Sequence, residues 1–257
     1  MKRKNLLAVL VVVLIALVAF LLIYRVSAAD HVAVIEINGF IDVNKAESIN
    51  KLLDVANSNK NIKGILLDID SPGSTIVAAE EVVSKVNAIE KPIVSYIKET
   101  GASGAYWIAA STDKIVANSF AVTGSIGVTR SYFQISKKLE EEGVSYEQIT
   151  SGEFKELGNP YTELTDKERN VLQSKIDKVY NIFLNDVKTK RNLTDNATKE
   201  VGKGDVYLGV EAKELGLIDE LGGREAAINE LKKLLDSKKI RLVDFKEKSN
   251  GITIKLG

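Results

Sequence analysis

Cysteine is absent from the 257 residues, and histidine, methionine and tryptophan occur once each. Without cysteine there is no disulfide framework, no thiolate zinc site and no thiol nucleophile. The one histidine, His31, lies seven residues beyond an apolar run that ends at Tyr24. A Ser-His-Asp triad would therefore have a single, awkwardly placed base. A hydrolase built on this chain points instead to lysine or a carboxylate for proton transfer. Neither sign of charge is in excess, with 35 Lys+Arg against 35 Asp+Glu, so no electrostatic argument for nucleic acid exists. Only three prolines occur, no tract marks a linker, and there is no internal repeat.

What is present begins with a basic start, Met1-Lys2-Arg3-Lys4, and a charge-free run from Leu6 to Tyr24. As a helix that run reaches roughly 28 Å, close to the hydrocarbon thickness of a bilayer. Three basic residues precede it and only Arg25 follows closely. The positive-inside bias then puts the N-terminus in the cytoplasm and the rest outside, at the cell membrane. A cleavable signal peptide has a shorter apolar core, about 7–15 residues, which favours an uncleaved anchor; Ser27-Ala28-Ala29 nevertheless offers small residues for cleavage. Residues 1–29 are read as cytoplasmic start and transmembrane helix. Residues 30–257 are read as one extracytoplasmic domain with a loose tail after Lys246.

Within that domain the pattern alternates. His31–Ile37, Ile62–Ile69, Pro92–Lys98 and Asp113–Ala117 read as strands. Between them, Asp42–Ala56 and Ser74–Ile89 carry apolar residues at helical spacing. The alternation predicts an α/β fold with a largely parallel sheet. The second half is more helical. Thr165-Asp166-Lys167-Glu168 has capping-box spacing and opens a helix with Leu172, Ile176, Val179, Phe183 and Val187 on one side. Further helices are expected over Thr194–Val201, Gly209–Leu215 and Gly223–Leu235, and short strands at Arg241–Phe245 and Ile252–Lys255. Thr123–Gly127 reads as a glycine-containing loop.

One junction carries chemistry. The strand ending in Thr100-Gly101-Ala102 runs through Ser103 into Gly104-Ala105-Tyr106-Trp107. A serine at such a turn projects its hydroxyl from the end of a sheet, and the following amide, that of Gly104, can stabilise an oxyanion. The order is similar to G-x-S-x-G, but residue 105 is alanine, so that motif is incomplete. The bland alternative is an ordinary serine N-cap. Ser71-Pro72-Gly73-Ser74 ends a second strand before a helix and could supply further amides; its bland reading is a plain helix start. Tyr106 and Trp107 read as packing residues.

Four stretches together resemble the signal peptide peptidase A family of serine peptidases: Asp70-Ser71-Pro72-Gly73, Ala102-Ser103-Gly104-Ala105-Tyr106-Trp107, Thr123-Gly124-Ser125-Ile126-Gly127 and Ser151-Gly152-Glu153-Phe154-Lys155. The likeness spans about residues 32–225. It implies a Clp-protease/crotonase-like fold of repeated β-β-α units and a Ser–Lys dyad, with Ser103 as nucleophile and Lys155 as general base. It further implies oxyanion amides at Gly73, Ser74 and Gly104, and Ser125 as a support for the lysine. Short members of the family assemble into rings in which the lysine comes from a neighbouring copy. Two residues depart from the family pattern: Ser74 stands where glycine is usual, and Glu156 follows the lysine where a small residue is usual.

The resemblance implies a membrane-anchored endopeptidase that degrades signal-peptide remnants and other apolar peptides, with no metal and no cofactor. A lysine base must be neutral, which burial favours. Three other readings share the fold: a membrane Ser–Lys protease acting on membrane scaffold proteins, a crotonase-type acyl-CoA enzyme, and a non-catalytic membrane scaffold.

Overall fold

The computed structural model describes residues 12–18, 29–248 and 251–256. Residues 12–18 are helical with exposed side chains; the rest of the apolar run 6–24 lies outside the described residues, as does the basic start. Among the described residues no helix is long and apolar enough to cross a membrane.

The chain opens with β1 (Asp30–Asn38), α1 (Val43–Ser58), β2 (Ile62–Ser71), α2 (Ile76–Asn87), β3 (Ile93–Ala102), α3 (Gly104–Ala110) and β4 (Lys114–Ala117). β5 (Val122–Gly124), α4 (Ser136–Glu141), α5 (Asp166–Arg191), α6 (Asp195–Val201), β6 (Val206–Leu208) and α7 (Gly209–Glu214) come next. The chain closes with β7 (Glu220–Leu221), α8 (Arg224–Leu234), β8 (Ile240–Lys248) and β9 (Gly251–Leu256). The strands form one mixed sheet in the order β6-β5-β3-β2-β1-β8-β9, from which β4 and β7 branch.

The expected parallel core is present: β1, β2, β3 and β4 all pair in parallel. β2 is central, and its Ile65, Leu66, Leu67 and Ile69 are wholly buried, as a strand covered on both faces requires. One face packs under α1 and α2 through Ile35, Leu53, Ile65, Leu67 and Val82. The other packs under α8 through Val34, Leu66, Val94 and Leu231. The helices start where the sequence caps them. Asp42 accepts from the Lys45 amide at 2.9 Å, and Thr165 with Glu168 closes the predicted capping box on α5.

Two irregularities in the sheet bring the ends of β2 and β3 together. The β2–β3 register shifts between Ile69 and Ser71, and the Asp70 carboxylate accepts the Thr100 amide at 3.2 Å inside the irregularity. β3 then pairs β4 with its first half and β5 with its last residues, Thr100–Ala102. β5 corrects the loop expected over Thr123–Gly127: Val122–Gly124 is a strand between β3 and β6. Three residues are too few for strand alternation to register, and the pairing comes from its neighbours. The stretch after Lys246 closes a hairpin, with β9 antiparallel to β8.

A shielded ion network ties the end of α5 to β4. Arg191 Nη2 lies 2.8 Å from Asp219 Oδ2 with only 8% of the arginine side chain exposed. The same carboxylate accepts from Lys114 Nζ at 3.1 Å and from the Ile115 amide at 2.8 Å. Burial alone would raise the Asp219 pKa; Arg191, the Ile115 amide and Lys114 outweigh it and hold it below its usual value. A depressed carboxylate contributes stability above its unfolded pKa, about 3.9, and loses it as pH falls through the folded value. Asp219→Asn is expected to cost about 2–4 kcal/mol at neutral pH, because a sheltered guanidinium loses its counter-charge. Thermal unfolding at pH 7 and pH 3 checks this: parent and variant should differ at pH 7 and converge on acidification.

Candidate active site

Ser103 is the single residue between β3 and α3, held at φ 53° and ψ −128°. An ordinary N-cap serine keeps an extended φ and accepts a hydrogen bond from the first helical turn. Ser103 does neither, and its side chain makes no capping bond. Backbone strain of this kind costs about 1–3 kcal/mol and persists only where its surroundings enforce it. Here the Ser103 amide donates to Gly124 O at 2.8 Å, and Ser103 O accepts from the Trp107 amide at 3.0 Å. The hydroxyl lies on a cleft wall.

The 71–75 loop lies against it. Ser71 is wholly buried; its hydroxyl donates to Gly73 O at 3.2 Å and accepts from the Gly73 amide at 3.3 Å, which fixes the turn. Gly73 has φ 141°, and a Cβ there would come within 3.1 Å of Ser103 Cβ. Glycine is therefore required by both backbone and contact. Ile41 pairs across this loop, donating to Gly73 O and accepting from the Thr75 amide, both at 3.0 Å. Strand alternation then turns the intervening Ser74 N–H away from Ile41. Gly104 N–H, first in its helix, has no intrahelical acceptor.

Gly104 itself touches Ser74. A Cβ at 104 would fall 1.9 Å from Ser74 Oγ and 3.2 Å from Ala79 Cβ. Gly104→Ala is expected to cost about 1–3 kcal/mol by overpacking and to lower kcat by about 10²-fold as the 104 amide shifts. Adding Ser74→Gly removes the worst clash, so the double variant should recover part of the lost melting temperature. A thermal-shift and rate comparison of the three chains checks it.

Ser103, Ser74, Gly104 and Ser125 line one cleft of about 520 Å³ with Pro72, Ile76, Trp107, Val128, Val179 and Phe183. Trp107 packs as the sequence suggested, stacked on Phe183 with ring centroids 4.9 Å apart, and it also forms cleft wall. Ser125 shares the positive φ of Ser103, at 53°, and its amide donates to Asp205 O at 2.7 Å. A second apolar hollow lined by Ile76, Val128, Leu172, Ile176 and Val179 continues the cleft.

The lysines divide differently from the expectation. Lys155 sits exposed in the 151–158 turn and is not part of the cleft wall of the single chain. Lys203, which no motif in the sequence marks, does line the cleft. Its ammonium lies 2.6 Å from Glu200 Oε2, and that hydrogen bond, with the carboxylate charge, raises its pKa. A lysine held in its charged form is a poor proton acceptor. His31 lies in β1, paired with Ile62 and Arg241, and is not a cleft residue either.

A model described as peptidase family S49 matches residues 85–238, a range that takes in Ser103, Ser125 and Lys155. The chain belongs to peptidase family S49. It is a serine peptidase. A protein named as a protease in Methanocaldococcus jannaschii is 35% identical over 215 residues, covering 80% of this S49 chain and 68% of that protein. A protein named as a signal peptide peptidase SppA in Enterococcus faecium is 36% identical over 196 residues, covering 75% of this chain and 57% of that one. The capsid assembly protease of Escherichia phage lambda is 33% identical over 193 residues, covering 74% and 44%. Among solved structures, a membrane-bound stomatin-specific protease with a bound substrate peptide superposes at TM-score 0.57 and 14% identity, over 87% of this chain and 95% of that one. At that identity the likeness establishes the α/β fold alone.

Proposed function

We propose that this S49 peptidase is a membrane-anchored endopeptidase with a Ser103–Lys155 dyad and an extracytoplasmic catalytic domain, degrading apolar peptides such as signal-peptide remnants. The observation that carries the reading is Ser103 itself: a strained, uncapped serine at the end of a sheet, in a cleft walled in part by Ile76, Trp107, Val128, Val179 and Phe183. Its frame, with β2 irregular and β3 changing partners in mid-strand, fits a Clp-protease/crotonase-like fold.

In the proposed cycle Ser103 Oγ attacks the peptide carbonyl while Lys155 takes its proton. The amides of Ser74 and Gly104, beside Gly73, hold the oxyanion. Lys155 then protonates the leaving amine, and afterwards activates water to release the acyl-enzyme. Ser125 steadies the lysine. In a single chain Lys155 is exposed, so a second copy would have to bring it, with its burial, to Ser103. Phe133 and Ile149, 88% and 93% exposed, lie on the same long segment, 125–165, as Lys155. Large apolar side chains left bare there suit coverage by a neighbouring copy in a homo-oligomeric ring.

Peptide hydrolysis by the assembled full chain tests the reading. Lys155→Ala should abolish turnover and Lys203→Ala should leave it largely intact; the reverse would move the base to Lys203. Peptides with apolar residues near the scissile bond should be cut faster than charged ones. A second reading, proteolysis of membrane scaffold proteins, takes its support from the stomatin-specific protease that shares the fold; peptide profiling separates the two. Failure of a fluorophosphonate probe to label Ser103 in the assembled chain would favour a non-catalytic scaffold.

A further inference from the structure

Three buried polar side-chain atoms have no hydrogen-bond partner among the described residues: Asn50 Oδ1, Ser74 Oγ and Ser136 Oγ. Asn50 faces a separate hollow beside Glu80 and Lys85, and Ser136 begins α4, outside the cleft wall. Ser74 belongs to the cleft that holds Ser103. Its hydroxyl is turned inward against Gly104, where a Cβ on that glycine would fall 1.9 Å away. A donor buried without a partner is costly, and its presence in a native site calls for an explanation. Packing does not supply one, because alanine or glycine at 74 would avoid the cost. Serine χ1 has three staggered wells, and the one occupied here points the hydroxyl at a Cα rather than at an acceptor.

We infer that the Ser74 hydroxyl is a third, rotatable donor to the oxyanion, turning from Gly104 into the cleft when a substrate carbonyl is bound. The inference rests on Ser103 being the nucleophile. As Ser103 Oγ bonds to the carbonyl carbon, its proton passes to the base and the carbonyl π pair becomes the oxyanion. The Ser74 O–H then hydrogen-bonds to that oxygen beside the Ser74 and Gly104 amides, and keeps its own proton throughout. When the tetrahedral intermediate collapses, the hydroxyl loses its acceptor and returns to Gly104. The serine that departs from the family's usual glycine thereby adds a side-chain donor to a site otherwise built from backbone amides.

The test uses the assembled full chain with Ser74→Ala and Ser74→Gly, measuring kcat, KM, inhibition by a peptide aldehyde whose hemiacetal carries the oxyanion, and melting temperature. Both variants are expected to lower kcat by about 10-fold or more and to weaken the aldehyde by a similar factor, with KM nearly unchanged. Ser74→Ala should not melt lower than the parent, since only an unpaired atom is removed; Ser74→Gly also frees the unfolded backbone and should melt slightly below Ser74→Ala. Unchanged kcat and aldehyde affinity would overturn the inference. So would a higher kcat in Ser74→Gly, which would mark the side chain as an obstruction, or a lower melting temperature in Ser74→Ala, which would mark the hydroxyl as a structural bond. Ser103→Ala runs alongside: if that variant still hydrolyses peptides, the nucleophile assignment fails, and that result is separate from any result at 74.

Discussion

Alanine at position 103 is expected to lower kcat/KM for peptide hydrolysis by about 10⁴–10⁶-fold, the scale on which loss of a catalytic nucleophile leaves only binding and oxyanion stabilisation. The fold should survive, because the Ser103 backbone is held by Gly124 and Trp107, bonds that the side chain does not enter. Ser103→Gly should be equally inactive but more stable than Ser103→Ala by about 1 kcal/mol, since glycine accepts φ 53° without a Cβ penalty. The pair separates two properties of one residue. Activity tracks the hydroxyl and stability tracks the dihedral angle. Hydrolysis assays with thermal unfolding of parent, alanine and glycine forms check both. An active Ser103→Ala would remove the mechanism altogether.

The second large effect concerns who supplies the base. Lys155 and Ser103 lie on different parts of the single chain, one exposed on a turn and the other in the cleft. Ser103→Ala and Lys155→Ala should each be inactive alone. Co-expressed, so that copies assemble at random, they should regain about a quarter of the parent rate, because that share of shared sites receives an intact serine from one copy and an intact lysine from its neighbour. Separately assembled variants mixed afterwards should regain less, to the extent that the rings do not exchange. If co-expression restores nothing while both single variants are inactive, the dyad lies within one chain and Lys155 has to move to the cleft. If Lys155→Ala is active, the base lies elsewhere.

Legibility in the sequence tracked element length and chemistry. β2 was readable because an apolar run of its kind has few homes other than a sheet covered on both faces. α5 was readable from its capping box and its apolar stripe. β5, β6 and β7, at two or three residues each, were not: they are strands by virtue of the partners they meet. At the site, Ser103 stood out from its strand-to-helix setting among very small residues. Lys203 did not, because its presence in the cleft depends on how the turn after α6 packs against β5. Val179 and Phe183 were legible as an apolar helix face but not as cleft wall.

By itself the sequence determined the α/β class, the serine-centred chemistry without cysteine or a well-placed histidine, and the identity of the candidate nucleophile. These rest on residue type and local periodicity, which a chain carries wherever it folds. Only the tertiary structure decided that Ser103 is strained rather than capping, that Ser74 presses an unpaired hydroxyl on Gly104, and that Lys203 lines the cleft while Lys155 faces outward. Such facts depend on distances between segments far apart in the chain, and these are set when the sheet bends at Ser71 and Gly101 and brings β5 and the 71–75 loop to one point.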